Sequence, residues 1–155
     1  MWLANDIAMV KVNTPIRFNQ NVSRVALVEY PPYKEEAELA GWGLVDENER
    51  TPTDVLKYIK QYVWEKKDCL ELLKRMSEGT FCASAKNESN YAALGDSGSP
   101  LVVRGYIQLG IVSSKTYKFS RSVAVYTDIG FYYDWIMEHA NIITCPAECS
   151  DCIIL

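Results

Sequence analysis

Leu94-Gly95-Asp96-Ser97-Gly98-Ser99-Pro100 sets a serine between two glycines, with an acid immediately before it. A hydroxyl displayed on a sharp turn is placed to attack a carbonyl carbon. Gly95 and Gly98 allow backbone conformations closed to other residues. The N–H groups of Gly95 and Ser97 can then converge and hold a tetrahedral oxyanion. The same letters also describe a plain Gly/Ser/Asp turn between strands, and taken alone they support both readings. A nucleophilic serine needs an adjacent base, and the chain has one histidine, His139.

Cysteines are the other reactive residues: Cys69, Cys82, Cys145, Cys149 and Cys152. An odd count leaves at least one thiol unpaired within the chain. Asn21-Val22-Ser23 and Asn87-Glu88-Ser89 are glycosylation sequons, short enough to arise by chance.

These groups need elements to hold them. The alternation in 6–12 predicts a strand ended by Asn13-Thr14-Pro15, and the apolar stretch 25–28 stops at Pro31-Pro32. Residues 39–43 read as a short strand carrying Trp42, and the polar run 46–53 as a surface loop. Residues 55–63 fit a helix or a strand equally, while 66–76 predict a short helix. Apolar runs at 80–83, 100–104, 107–113 and 123–127, separated by turn residues, suggest antiparallel β structure in a sandwich or barrel. Phe131, Trp135, Ile136 and His139 repeat at helical spacing.

The 155 residues suit a single domain, and their net charge of −4 shows no clustering of basic residues. Nucleic acid and anionic membrane surfaces, which require a positive patch, are not expected partners. No apolar run approaches the ~18 residues of a membrane span, and 1–10 does not read as a signal peptide.

Five segments in order carry a resemblance. They are Asn5-Asp6-Ile7-Ala8 with Pro15, Ala40-Gly41-Trp42-Gly43, the pair Cys69 and Cys82, Gly95-Asp96-Ser97-Gly98 leading into Pro100-Leu101-Val102, and Gly110-Ile111-Val112-Ser113. Val125-Tyr126-Thr127 followed by Asp134-Trp135-Ile136 completes the series. Over roughly residues 5–140 the chain resembles the chymotrypsin-like (trypsin-fold, peptidase family S1) serine proteases.

The resemblance implies an all-β fold, an antiparallel double β-barrel with its first barrel incomplete and a C-terminal helix. It divides the chain into a partial protease domain, 1–140, and a cysteine-containing tail, 141–155. It implies Ser97 as nucleophile, Asp6 as the buried acid orienting a histidine, and Gly95 and Ser97 as the oxyanion hole. Asp96 would pair with the amine freed by zymogen cleavage. Tyr91, Ser113, Ser114, Lys115 and Ala124 would meet substrate. It implies a Cys69–Cys82 bridge, no cofactor and no metal. Partners would be protein or peptide substrates and protein inhibitors, in an extracellular setting.

Several residues depart from the family's pattern. Its triad histidine precedes the Asp segment, where only Met1 to Asn5 stand here, and His139 on the terminal helix is a poor replacement. A chain beginning just before the Asp segment is the simplest account. Unpaired strand edges and bare apolar surface are then expected. Ala93, and the pair Ala37 and Val103, stand where the family has further cysteines. Trp42 is expected in the core. Tyr91, at the base of the primary pocket, carries no charge and has the bulk to narrow it, with Lys115 and Ala124 beside it. Cys145, Cys149 and Cys152 with His139 fit a zinc site or, better for an extracellular family, disulfides. Two functions follow: a serine endopeptidase represented without its histidine, or a non-catalytic secreted homologue that acts by binding. The intact Ser97 segment favours the first.

Overall fold

The computed structural model describes residues 4–115 and 120–144. Six strands close a barrel in the order β1-β2-β3-β6-β5-β4. They are β1 (Ala37–Gly41), β2 (Lys57–Val63), β3 (Thr80–Ser84), β4 (Pro100–Val103), β5 (Ile107–Lys115) and β6 (Ala124–Asp128). Every neighbouring pair is antiparallel, and β1 meets β4 with Ala37 opposite Val103 and Leu39 opposite Leu101. The six barrel strands therefore have no free edge. The closure satisfies backbone groups that an open sheet would expose.

A six-stranded barrel is narrow, so inward positions must mix large and small side chains. Ala37, Ala83 and Ala124 provide the small ones, and Leu101, Leu109, Phe81 and Tyr126 the large ones. The Phe81 and Tyr126 rings stack at 5.4 Å between centroids. Segment 55–63, open between helix and strand by pattern, is a strand from Lys57 because its inward Ile59 and Gln61 lie two apart. Leu56 and Tyr58 point to solvent.

α1 (Lys66–Leu73) buries Cys69 and Leu73, one turn apart, against Cys82, Val123 and Val125. It ends at Leu73, three residues short of the pattern's limit, with the cap residue Lys74 in the left-handed conformation. The Cys69–Cys82 disulfide, with 6.2 Å between the Cα atoms, ties α1 to β3. α2 (Tyr133–Thr144) follows β6. Its Ile136 joins Ile129 and Tyr132, with Ile7, Met9 and Trp135 packed against them. Phe131 precedes the helix and is exposed, so it does not belong to the buried face. Among the described residues no helix is long and apolar enough to cross a membrane. Cys145, Cys149 and Cys152 lie outside the described residues.

Two expectations fail here. Residues 6–12 form no strand, because no neighbouring strand offers a ladder to that backbone. This N-terminal arm is held by side chains: Thr127 Oγ1 donates to the Asp6 carbonyl at 2.7 Å, and Tyr132 OH to Asn5 Oδ1 at 2.7 Å. Val10, Val12, Ile16 and Phe18 stand more than half exposed along it. Trp42 is also not in the core, being 64% exposed just past the end of β1.

Candidate active site

The Ser97 turn is built around one buried carboxylate. Asp96 Oδ1 accepts from the Gly43 N–H at 2.9 Å, and Oδ2 from the Ala93 N–H at 2.8 Å. A β-carbon on Gly41 or Gly43 would fall 2.1 or 2.5 Å from the Asp96 carboxyl group, so only glycine leaves room for it. Leu44 N–H to the Leu94 carbonyl, 2.9 Å, extends the same clamp. With Asp96 turned inward, Ser97 is exposed.

Gly95 has φ +100° and Gly98 +85°, conformations that suit glycine. The Gly98 N–H donates to the Val112 carbonyl, and the Val112 N–H to the Ser99 carbonyl. No backbone partner takes the Gly95 or Ser97 N–H among the described residues. Both donors remain available to an incoming oxygen.

β5 also holds the second acid. The β5–β6 register slips between Val112 and Ser114, a bulge that re-aims the intervening Ser113. Ser113 Oγ donates to Asp6 Oδ2 at 2.6 Å. Val112 thus holds the Ser97 turn while its neighbour Ser113 holds Asp6. Asp6 was expected to be buried, but it is exposed. His139, on α2, has its Nδ1 2.8 Å from the Trp135 carbonyl oxygen and its ring stacked on Trp135. It is part of the α2 surface and has no contact with Ser97 or Asp6.

Beside the turn, Tyr91 lies under two cations. Lys115 Nζ is 3.9 Å and the Arg121 guanidinium carbon 4.6 Å from its ring centroid. Lys115 is ion-paired with Glu47 at 2.9 Å, and the two side chains are 9% and 7% exposed. Burial pulls the Lys115 ammonium below its usual range, and Glu47 pulls the other way. Glu47 also accepts the Leu94 N–H at 3.1 Å. Ser114 lies opposite Val125, and Ala124, opposite Lys115, is buried. Glu47 and Arg121 were not among the expected site residues. Glu47 stands in a run of polar loop residues with no periodicity to mark it. A cavity of about 160 Å³ opens beside Asp96, Gly41, Gly43 and Tyr91.

The family model described as Trypsin matches residues 2–136. The chain belongs to the trypsin family. It is 33% identical over 140 residues to Trypsin eta of Drosophila melanogaster, covering 86% of this chain and 53% of that protein. It is 29% identical over 138 residues to Kallikrein-11 of Mus musculus, covering 86% and 50%. The structure of neuropsin, a serine protease expressed in the limbic system of mouse brain, superposes with a TM-score of 0.70 at 25% identity. That match covers 83% of this chain and 58% of the neuropsin chain. The chain spans about half the length of the curated relatives it matches. Within this family the barrel described above carries the Ser97 turn, and the first barrel is incomplete.

Proposed function

We propose that the chain is the serine-bearing part of a serine-type endopeptidase that works by acyl transfer. The observation that carries the reading is the convergence on β5, where Val112 fixes the Ser97 turn and Ser113 fixes Asp6. Ser97 attacks the scissile carbonyl and the Gly95 and Ser97 N–H groups receive the oxyanion. An imidazole from outside these 155 residues, oriented by Asp6, takes the serine proton and returns it to the leaving amine. Water then hydrolyses the acyl-enzyme.

Asp96 and the cavity beside it serve as the receptacle for an amine freed by zymogen cleavage. Ser113 to Lys115, Tyr91 and Ala124 form the substrate side of the cleft. Substrates are proteins or peptides, and protein inhibitors are the expected antagonists. The Cys69–Cys82 disulfide supports a secreted parent, because such bonds persist in oxidising compartments.

The chain alone should be inert. An unassisted serine hydroxyl is a weak nucleophile at neutral pH. Loss of a triad member leaves only ~10³–10⁴-fold catalysis over water even with the oxyanion hole intact. Purified chain treated with a serine-directed phosphonate should stay unlabelled, with Ser97→Ala as the blank. Stoichiometric labelling that the alanine variant lacks would show a base within the chain, and His139 would be the residue to replace next.

A further inference from the structure

Lys115, Glu47, Tyr91 and Arg121 form a cluster whose members come from β5, the 44–53 loop and the segments flanking β6 and the Ser97 turn. Its charges are arranged as in a bound complex: a buried ammonium, a carboxylate seated on it at 2.9 Å, and an aromatic ring beneath. Glu47 reaches this place from the 44–53 loop. Its other oxygen rests on the Leu94 N–H, three residues before Ser97. A buried lysine is a compact point charge on a flexible stem, able to exchange one carboxylate for another.

We infer that this end of the site receives a carboxylate and turns away a cation, with Lys115 as the receiving group and Glu47 as the internal carboxylate that holds its place. The inference rests on the reading of this cleft as a substrate site, and it names the substrate class as acidic. An incoming acidic side chain takes over Lys115 and releases Glu47 to the loop. An incoming basic side chain meets Lys115 and Arg121, both already over the Tyr91 ring, so the ring's attraction for cations is spent. Selectivity then has both an attractive and a repulsive element.

The adjoining cavity supplies the competing outcome. Of about 340 Å³, it is bordered by Tyr91 and Arg121 and also by Asp46 and Glu88. Asp46 Oδ1 is already taken by the Asn48 and Glu49 N–H groups. A basic ligand seated against these two acids would contradict the inference.

The test titrates the full 155-residue chain with benzoate and with benzamidine by ligand-observed NMR. Benzoate should bind more tightly than benzamidine. Glu47→Gln removes the internal competitor and should tighten benzoate by at least about tenfold, the scale of one hydrogen-bonded charge partner. Adding Lys115→Met to that variant should abolish the gain. Tighter binding of benzamidine, or a folded Glu47→Gln protein without the gain, overturns the inference. Should Glu47→Gln fail to fold, Glu47→Asp keeps the charge and shortens the reach. A smaller gain in the same direction is then expected, and no gain overturns the inference. Neither probe needs a reactive serine, so the phosphonate result bears on the hydrolytic reading separately.

Discussion

Asp96 decides how the Ser97 turn stands. Its carboxylate satisfies two backbone donors, Gly43 and Ala93, in a space that exists because positions 41 and 43 lack side chains. Gly43→Ala should force the carboxylate aside and lose at least one charge-assisted bond, costing about 2–3 kcal/mol. Gly98→Ala is the comparison: a β-carbon there meets nothing within 4 Å, so only its φ of +85° is strained. That costs about 1–2 kcal/mol. Urea unfolding of both variants checks the difference, and equal losses would refute the crowding around Asp96. Tyr126 is a second residue with a measurable signature. Its hydroxyl is buried without a partner among the described residues. Burial, and then the nearby Asp96 charge, push its ionisation well above the ordinary tyrosine range. Tyr33, half-buried and donating to Asp128 at 2.5 Å, is pushed the same way. The folded protein therefore keeps protons that the unfolded chain releases above about pH 10. Stability from both groups is fully present below that pH and falls as pH rises beyond it. Tyr126→Phe should cost nothing near about pH 7, where the hydroxyl has no bond to lose. It should lose less stability than the parent near about pH 11. Urea melts at the two pH values read this directly.

Among the elements, β1 and β4 close the barrel, and their register invites a cross-link. Ala37 and Val103 are directly opposed and both buried, at positions the family fills with cysteines. Opposed residues in antiparallel strands lie ~4.5–5.5 Å apart at Cα, within disulfide range. The double variant Ala37→Cys/Val103→Cys should oxidise spontaneously and add about 4 kcal/mol in the chain-entropy estimate for so long a loop. Non-reducing peptide mapping and urea unfolding with and without reductant check both halves. Four short apolar runs became β3 to β6, each bounded by turn residues, and β3 and β6 are buried along nearly their whole length. Segment 6–12 alternates in sequence and forms no strand. Periodicity reports which side chains are compatible with a ladder, but the ladder itself requires a partner. Trp42 misled for a related reason: its glycine neighbours serve Asp96, and the ring between them points outward. The Ser97 turn was readable because its glycines, acid and serine are contiguous in the sequence. Glu47 was not, since its role depends on Lys115, distant in sequence and adjacent only after folding.

As a whole molecule, the chain is one closed barrel with an arm of residues 4–36 laid along it and clamped by α2. The arm brings Asp6 to Ser113 and leaves Val10, Val12, Ile16 and Phe18 in solvent. Barrel closure has a kinetic corollary. The β1–β4 seam joins Ala37 to Val103 and Leu39 to Leu101, so forming it must close a long loop of chain. The arm depends on still more distant partners, with Asp6 reaching Ser113 and Thr127, and Asn5 reaching Tyr132. Such non-local pairing places folding on the millisecond-to-second scale rather than in microseconds. During that interval β1 and β4 present open edges to neighbouring chains. Dilution during refolding, more than added stability, then governs how much chain reaches the native state instead of aggregating.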